Sequence, residues 1–257
     1  MIITTAGRTN EEMTRAAIKV AQDLGGRFVQ RKKRSVQLIQ QVEEEDCIVV
    51  GKERLELYPM EDSEPFFFHP NSAMFRVKRL MKGENDPFVD AAGLYAGKTL
   101  LDCTLGLASD SIVASFIVGK KGKVTGIEGN PYLGYIVKNG LHSWTSGISE
   151  LDLAMKRIRV INKLSLPFLK SIPDQSYDCV YFDPMFEDNT LESDGIKALK
   201  RFAIYEDLTD QLIKEAKRVA KERVVLKDHY LSSRFERFNF HEHKRKTAKF
   251  HYGVIEK

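Results

Sequence analysis

Short apolar runs alternate with amphipathic stretches along the whole chain, and the rhythm lengthens near residue 95. Residues 2–5 predict a strand, and 10–24 place Met13, Ala16, Ala17, Val20, Ala21 and Leu24 at helical spacing before a Gly25-Gly26 stop. Strands at 27–30, 47–50 and 55–58, with a helix over 36–42 that Ser35 can cap, complete a small α/β unit. A polar stretch bounded by Pro59 and Pro65 leads to the apolar run 66–70. Behind it comes a helix with Ala73, Met74, Val77, Leu80 and Met81 on one face and Asn71-Ser72 as its cap. A short helix over 88–94 closes this connector.

From residue 97 the pattern is that of a wound sheet. Apolar runs at 100–103, 124–128, 158–161, 177–183 and 223–226 read as strands, separated by helical periodicity over 109–118, 132–137 and 208–219. Strands joined through helices run parallel. A sixth strand is expected at 238–240 and a seventh at 249–255, the last reached by a short turn and therefore antiparallel. The fold class is α/β, a Rossmann-like seven-stranded, mostly parallel sheet with an antiparallel last strand, plus a small N-terminal α/β domain. The expected division is 1–60 for the small domain, 61–95 for a connector and a helix over the ligand crevice, and 96–257 for the sheet.

Composition narrows the function classes. The 257 residues are 42% hydrophobic and 30% charged, ordinary for a soluble globular chain. No apolar run approaches the ~18 residues of a membrane span, and the first residues lack a secretory pattern, so a cytoplasmic location is expected. Cys47, Cys103 and Cys179 stand too far apart for a zinc or redox pair and read as core residues, so no metal is expected. A net charge of +4 leaves any nucleic-acid affinity to local clusters.

The candidate chemistry begins where the first sheet strand ends, at Asp102-Cys103-Thr104-Leu105-Gly106-Leu107-Ala108-Ser109-Asp110. A dinucleotide turn needs three spaced glycines, but Thr104 and Ala108 flank Gly106; no Gly-Lys-Ser/Thr follows for a P-loop either. What remains is Asp-x-x-x-Gly with Glu128 ending the next strand, a combination that suits S-adenosyl-L-methionine. Gly106 lets the backbone approach the ligand, Asp102 stands near its cationic amino-acid end, and Glu128 accepts from both ribose hydroxyls. Each carboxylate taken alone reads equally well as a helix or loop cap.

A second stretch, Asp183-Pro184-Met185-Phe186, ends the fourth strand on the edge where such sheets place their reactions. It is similar to the Asp/Asn-Pro-Pro-Tyr/Phe motif of methyltransferases that act on exocyclic base amines. The lone pair of such an amine is delocalised into the ring, and acceptors for its N–H groups localise it for attack. The Asp183 carboxylate and the Pro184 carbonyl are such acceptors, and Phe186 offers a stacking face. The other reading of the motif is an Asp-Pro turn with a core phenylalanine.

Asp102-x-Thr104-x-Gly106-Leu107-x-x-Asp110, Glu128-x-Asn130-Pro131 and Tyr181-x-Asp183-Pro184-Met185-Phe186 together resemble the bacterial small-subunit rRNA guanine-N2 methyltransferase family over residues 95–190. The resemblance implies a class I fold with S-adenosyl-L-methionine as cofactor. Carried over by position, Ser109, Asp110, Glu128, Gly129 and Asp183 face the cofactor or the reacting centre. Thr104, Leu107 and Asn130 belong to the same motifs and are expected at the cofactor. The family's pair after strand three falls near Leu164-Ser165, and Asn162 is an equally good partner for the adenine edge.

Residues 1–60 are similar to the anticodon-binding-like domain of Brix-type ribosome-assembly proteins in the Ile3-Thr4-Thr5 opening and the basic turn Arg31-Lys32-Lys33-Arg34. With Arg76 and Arg79, that turn supplies the candidate RNA contacts, and Lys244-Arg245-Lys246 forms a further basic cluster; a merely solvated turn is the alternative for 31–34. The expected function is methylation of an exocyclic base amine of RNA, guanine N2 in small-subunit rRNA, with RNA or the small ribosomal subunit as partner. Two alternatives stay open: a methyltransferase for a small molecule or protein, and a non-catalytic RNA-binding or ribosome-assembly factor on the same scaffold.

Overall fold

A computed structural model describes residues 1–60, 64–184, 201–204 and 207–257. The described chain forms two compact units, one from Met1–His69, Pro131–Trp144 and residues 201–203, the other from Pro70–Asn130, residues 145–184 and Ile204–Lys257.

The first unit carries a four-stranded sheet. Its strands are β1 (Ile2–Thr5), β2 (Arg27–Phe28), β3 (Cys47–Val50) and β4 (Leu55–Tyr58), in the order β2-β1-β3-β4 with only β4 antiparallel. Helix α1 (Glu11–Leu24) starts where the Asn10 side chain accepts from the Met13 N–H and stops at Gly25, φ 62°. Helix α2 (Val36–Glu43) is capped by Ser35, whose hydroxyl accepts from the Leu38 N–H at 3.0 Å. Ile2, Ile39, Cys47 and Val49 meet as a small core. The run 66–70 is not a strand; Phe66 makes one isolated bridge to Leu57. Phe68 instead lies against Gly140, where a Cβ would come within 2.3 Å of its ring.

The second unit is built on seven strands. They are β5 (Thr99–Asp102), β6 (Lys123–Glu128), β7 (Arg159–Asn162), β8 (Tyr177–Phe182), β9 (Ala220–His229), β10 (His241–His243) and β11 (Phe250–Glu256), ordered β10-β11-β9-β8-β5-β6-β7. Five run parallel, and β11 enters antiparallel to both β9 and β10. This is the Rossmann-like class I methyltransferase order. Helices α3 (Asn71–Met81), α4 (Pro87–Ala92), α5 (Ser109–Val118), α7 (Ser149–Lys156), α8 (Ser165–Lys170), α9 (Asp210–Val219) and α10 (Arg234–Arg237) belong to it, whereas α6 (Pro131–Ser143) groups with the first unit. The core joins Leu101, Ile127, Val180 and Phe182 of the sheet to Leu212, Ile213 and Ala216 of α9. Each such large apolar side chain contributes ~1.5–3 kcal/mol on burial.

Three expectations change. The sixth strand lies at His241–His243 rather than 238–240, because Phe235, Phe238 and Phe240 are buried, with Phe235 and Phe240 against Gly253 and the chain turning at Asn239, φ 59°. The fifth sheet strand is ten residues long, since pairing with β11 over Arg223–His229 and with β8 at Ala220 extends it through charged positions that an apolar criterion stops short of. Helix α3 begins without a side-chain cap, Pro70 occupying the position before Asn71. All three cysteines are buried free thiols, and burial pushes Cys47 up to about 12.

Candidate active site

The turn after β5 is held from below. Asp102 is 2% exposed; one carboxylate oxygen accepts from the Thr104 N–H at 3.0 Å and the other from the Ser111 hydroxyl at 2.7 Å. Burial raises its carboxyl to about 7, against the pull of those two donors. The Leu105 N–H reaches the Ile127 carbonyl at 3.0 Å, and Gly126 leaves room for the Leu105 side chain, which a Cβ there would strike at 2.3 Å. Gly106, φ 48°, and Ala108, φ 61°, make the reversal into α5. The result is a surface of partly exposed Thr104, Gly106, Leu107 and Ser109 over a buried floor of Asp102 and Asp110.

The neighbouring strand end supplies a second carboxylate. Glu128 is 8% exposed at the end of β6, and burial raises its carboxyl against backbone donors that include the Asn130 N–H at 2.9 Å. Asn162 on β7 donates its side-chain amide to the Glu128 carbonyl at 2.7 Å and to the Gly129 carbonyl at 3.3 Å, leaving its oxygen to face other donors. Gly129 lies between two partly exposed apolar side chains: a Cβ there would stand 3.0 Å from both Leu164 and Ile204. Ser165 is buried with its hydroxyl donated to the Cys103 carbonyl at 2.6 Å, so it braces the turn from behind.

Asp183 follows β8 directly. Its backbone N–H donates to the Thr104 hydroxyl at 2.6 Å, which ties the motif to the turn. Its carboxylate is about one quarter exposed and lies 2.6 Å from the Lys227 ammonium of β9. Lys227 also stands 3.5 Å from Asp110, which in turn accepts from Arg76 at 2.5 Å and from the Tyr181 hydroxyl at 2.9 Å. Arg76 completes the chain by a two-pronged pair with Asp86 at 2.8 Å, and Asp86 caps α4. Burial raises the Asp183 carboxyl while Lys227 opposes the rise. Burial alone would lower Lys227, but Asp110 and Asp183 outweigh it and hold its ammonium above the ordinary range. Asp110, flanked by Lys227 and Arg76, is held well below the usual carboxylate range despite its burial.

The expected RNA contacts separate on inspection. Arg76 has its guanidinium committed to Asp86 and Asp110, a correction to its place among phosphate ligands: with the side chain only 20% exposed, the partners that a phosphate would replace are already there. Arg79 pairs with Glu84 at 2.7 Å on the surface. Arg31 and Arg34 turn inward onto the Thr5, Gln30, Arg31 and Arg34 carbonyls, and only Lys32 and Lys33 stand exposed, both at positive φ. Pro184 is buried; Met185 and Phe186 lie outside the described residues. Lys227 and Ile204 are the site members that the sequence reading missed. A lone lysine ending an apolar strand beside the motif edge was the available signal for the first.

Comparison with known proteins decides the family. Residues 31–252 match the SAM_MT family, described as "Putative SAM-dependent methyltransferase". The chain belongs to the SAM_MT family. This methyltransferase is 49% identical over 255 residues, 99% of each chain, to the uncharacterized protein YpiP of Bacillus subtilis. It is also 26% identical over 217 residues to a ribosomal RNA small subunit methyltransferase J of Buchnera aphidicola, covering 76% of this chain and 85% of the relative. A solved SAM-dependent methyltransferase from Neisseria gonorrhoeae shares the fold with a TM-score of 0.61 at 17% identity, covering 100% of this chain and 96% of that one.

The cofactor is S-adenosyl-L-methionine. The residues present fit it. A buried carboxylate at the β6 end can take ribose hydroxyls, and the partly exposed apolar side chains of Leu164 and Ile204 beside Gly129 can pack on a flat base. The N-terminus of α5 can face a carboxylate with its free N–H groups. No helix among the described residues is long and apolar enough to cross a membrane.

Proposed function

We propose that this methyltransferase modifies an exocyclic base amine of RNA, guanine N2 in small-subunit rRNA. The observation that carries the reading is the Asp183 carboxylate, partly open to solvent at the end of β8, tied to the cofactor turn through Thr104 and faced by Lys227. The name of the Buchnera relative, a ribosomal RNA small subunit methyltransferase, supports the acceptor.

In this reading Gly106, Leu107, Ser109, Glu128, Gly129, Asn130 and the Asn162 oxygen meet the cofactor. Asp102, Thr104, Asp110 and Ser165 hold the surface they stand on. Bound S-adenosyl-L-methionine supplies a methyl carbon activated by its positive sulfur. Asp183 accepts an N–H of the base amine, directs the nitrogen lone pair out of the ring plane, and fixes the line of approach. The nitrogen gains the methyl group as the sulfur–methyl bond breaks with its electron pair left on the sulfur, and it gives up a proton, for which the Asp183 carboxylate is the neighbouring acceptor. Pro184 locks the backbone behind it, and Phe186 stacks on the extruded base. Residues 1–60 serve as an accessory RNA-binding domain through Lys32 and Lys33.

The test supplies radiolabelled cofactor with ribosomal subunits, naked total RNA, and protein or small-molecule pools. Label in RNA at a base amine is expected. Label confined to protein or small molecules contradicts the proposal.

A further inference from the structure

The strongest charged patch outside the site is the turn between β10 and β11. Residues 244–249 include Lys244, Arg245, Lys246 and Lys249, all exposed. Among the described residues, no ion pair involves Arg245, Lys246 or Lys249, and Lys244 meets only Glu242, at 3.9 Å. Among the described residues, the charge of Arg245, Lys246 and Lys249 is not neutralised.

Its position gives it a role. Strand β11 runs antiparallel to β9, so the turn that precedes Phe250 lies at the carboxyl end of β9, the edge that carries Lys227 and Asp183. In register, Phe250 pairs with His229 and Tyr252 with Lys227, and the Tyr230 N–H reaches the Lys249 carbonyl at 3.0 Å. Strand geometry puts the turn about 10 Å beyond the level of Asp183 and about 10 Å to its side. A polynucleotide presenting one base at Asp183 would pass over this turn with its flanking nucleotides. Beside the cations, Tyr230 is 48% and Leu231 72% exposed, so a stacking face and an apolar edge accompany the charge.

The turn is also built rather than loose. His251, 7% exposed, has Nδ1 2.5 Å from Glu242 and Nε2 3.2 Å from the Arg245 N–H. Both contacts are satisfied when Nδ1 donates and Nε2 accepts, which clamps the two limbs of the hairpin through one buried ring. A held turn forfeits less chain freedom on binding. Exposed cations on a fixed turn, three of them in no ion pair among the described residues and with an aromatic ring beside them, are the chemistry of a phosphate backbone with unpaired bases.

We propose that the β10–β11 turn, with Tyr230 beside it, is the surface that holds the RNA strand flanking the target base. Lys244, Arg245, Lys246 and Lys249 contact phosphates and Tyr230 stacks on a neighbouring nucleotide. The inference rests on the RNA reading of the active site.

The experiment compares the full-length wild type with the triple variant Lys244→Gln, Arg245→Gln, Lys246→Gln and with Tyr230→Ala, measuring steady-state methylation of RNA over a salt series. Cofactor affinity is measured by calorimetry in parallel. The triple variant should raise KM for RNA about 10-fold or more with cofactor affinity unchanged, and should flatten the log–log salt dependence by about 2, as three lost single-strand phosphate contacts require. Tyr230→Ala should raise KM several-fold with the salt slope intact. If the wild type methylates RNA and both variants keep its KM and slope, the docking surface is wrong while the active-site reading stands. If the wild type methylates no RNA, both fall.

Discussion

The Lys227 ammonium lies 2.6 Å from the Asp183 carboxylate and 3.5 Å from that of Asp110, so one cation on β9 serves an acid that follows β8 and an acid in the first turn of α5. Asp110 has Arg76 as a second partner, whereas Lys227 is the one cation in an ion pair with Asp183 among the described residues. The orientation and charge of Asp183 therefore depend on Lys227 more than the stability of Asp110 does.

Lys227→Met should lower methyl transfer by about 10- to 100-fold while leaving cofactor affinity within a few-fold of wild type. Without the ammonium, the burial that raises the Asp183 carboxyl acts unopposed, so the acid limb of the kcat/KM profile should move to higher pH. Lys227→Arg should restore part of the rate and return the limb. A pH profile that does not move in Lys227→Met contradicts the role.

Leu164 and Ile204 flank Gly129, and a branched side chain there would crowd the apolar surface on which the adenine is expected to pack. Both neighbours are partly exposed and can give way, so Gly129→Val should leave thermal stability nearly unchanged. Calorimetry should show cofactor affinity falling by about 10-fold or more. Loss of stability with affinity retained would place the adenine elsewhere.

Asp102 gives the fold a specific pH dependence. Its carboxyl is raised by burial to about 7 in the folded chain, against about 3.9 unfolded, so the folded chain holds one more proton between those values. Its contribution to stability is therefore complete below the unfolded value and is lost as the pH rises through about 7. Asp102→Asn keeps the shape and cannot titrate. Denaturant unfolding should show the variant gaining on wild type by up to about 3 kcal/mol between pH 5 and 8. A difference constant with pH contradicts the assignment.

The parallel strands were legible because their apolar runs end at punctuation a sequence displays: Asp102 before the Gly106 turn, Glu128 before Gly129-Asn130-Pro131, and Asp183 before Pro184. Their parallel direction followed from the helices that join them. The missed members owe their places to tertiary pairing. Lys227 is a single charge on an extended strand, and only the register of β8 with β9 brings it to Asp183. Arg76 read as surface charge because helical spacing sets it beside Lys78 and Arg79, yet Asp86 and Asp110 draw it into a buried network. The 238–240 run misled for a related reason, as its aromatic residues fill the core from a turn, where alternation carries no strand information.

If Asp183 positions a guanine amine of small-subunit rRNA to receive the cofactor's methyl group, one modified nucleoside depends on this gene and on that carboxylate. Mass spectrometry of nucleosides from that rRNA should show one N2-methylguanosine lost when the gene is deleted, restored by the wild-type gene and not restored by Asp183→Ala. An unchanged nucleoside profile in the deletion, or restoration by Asp183→Ala, would contradict it.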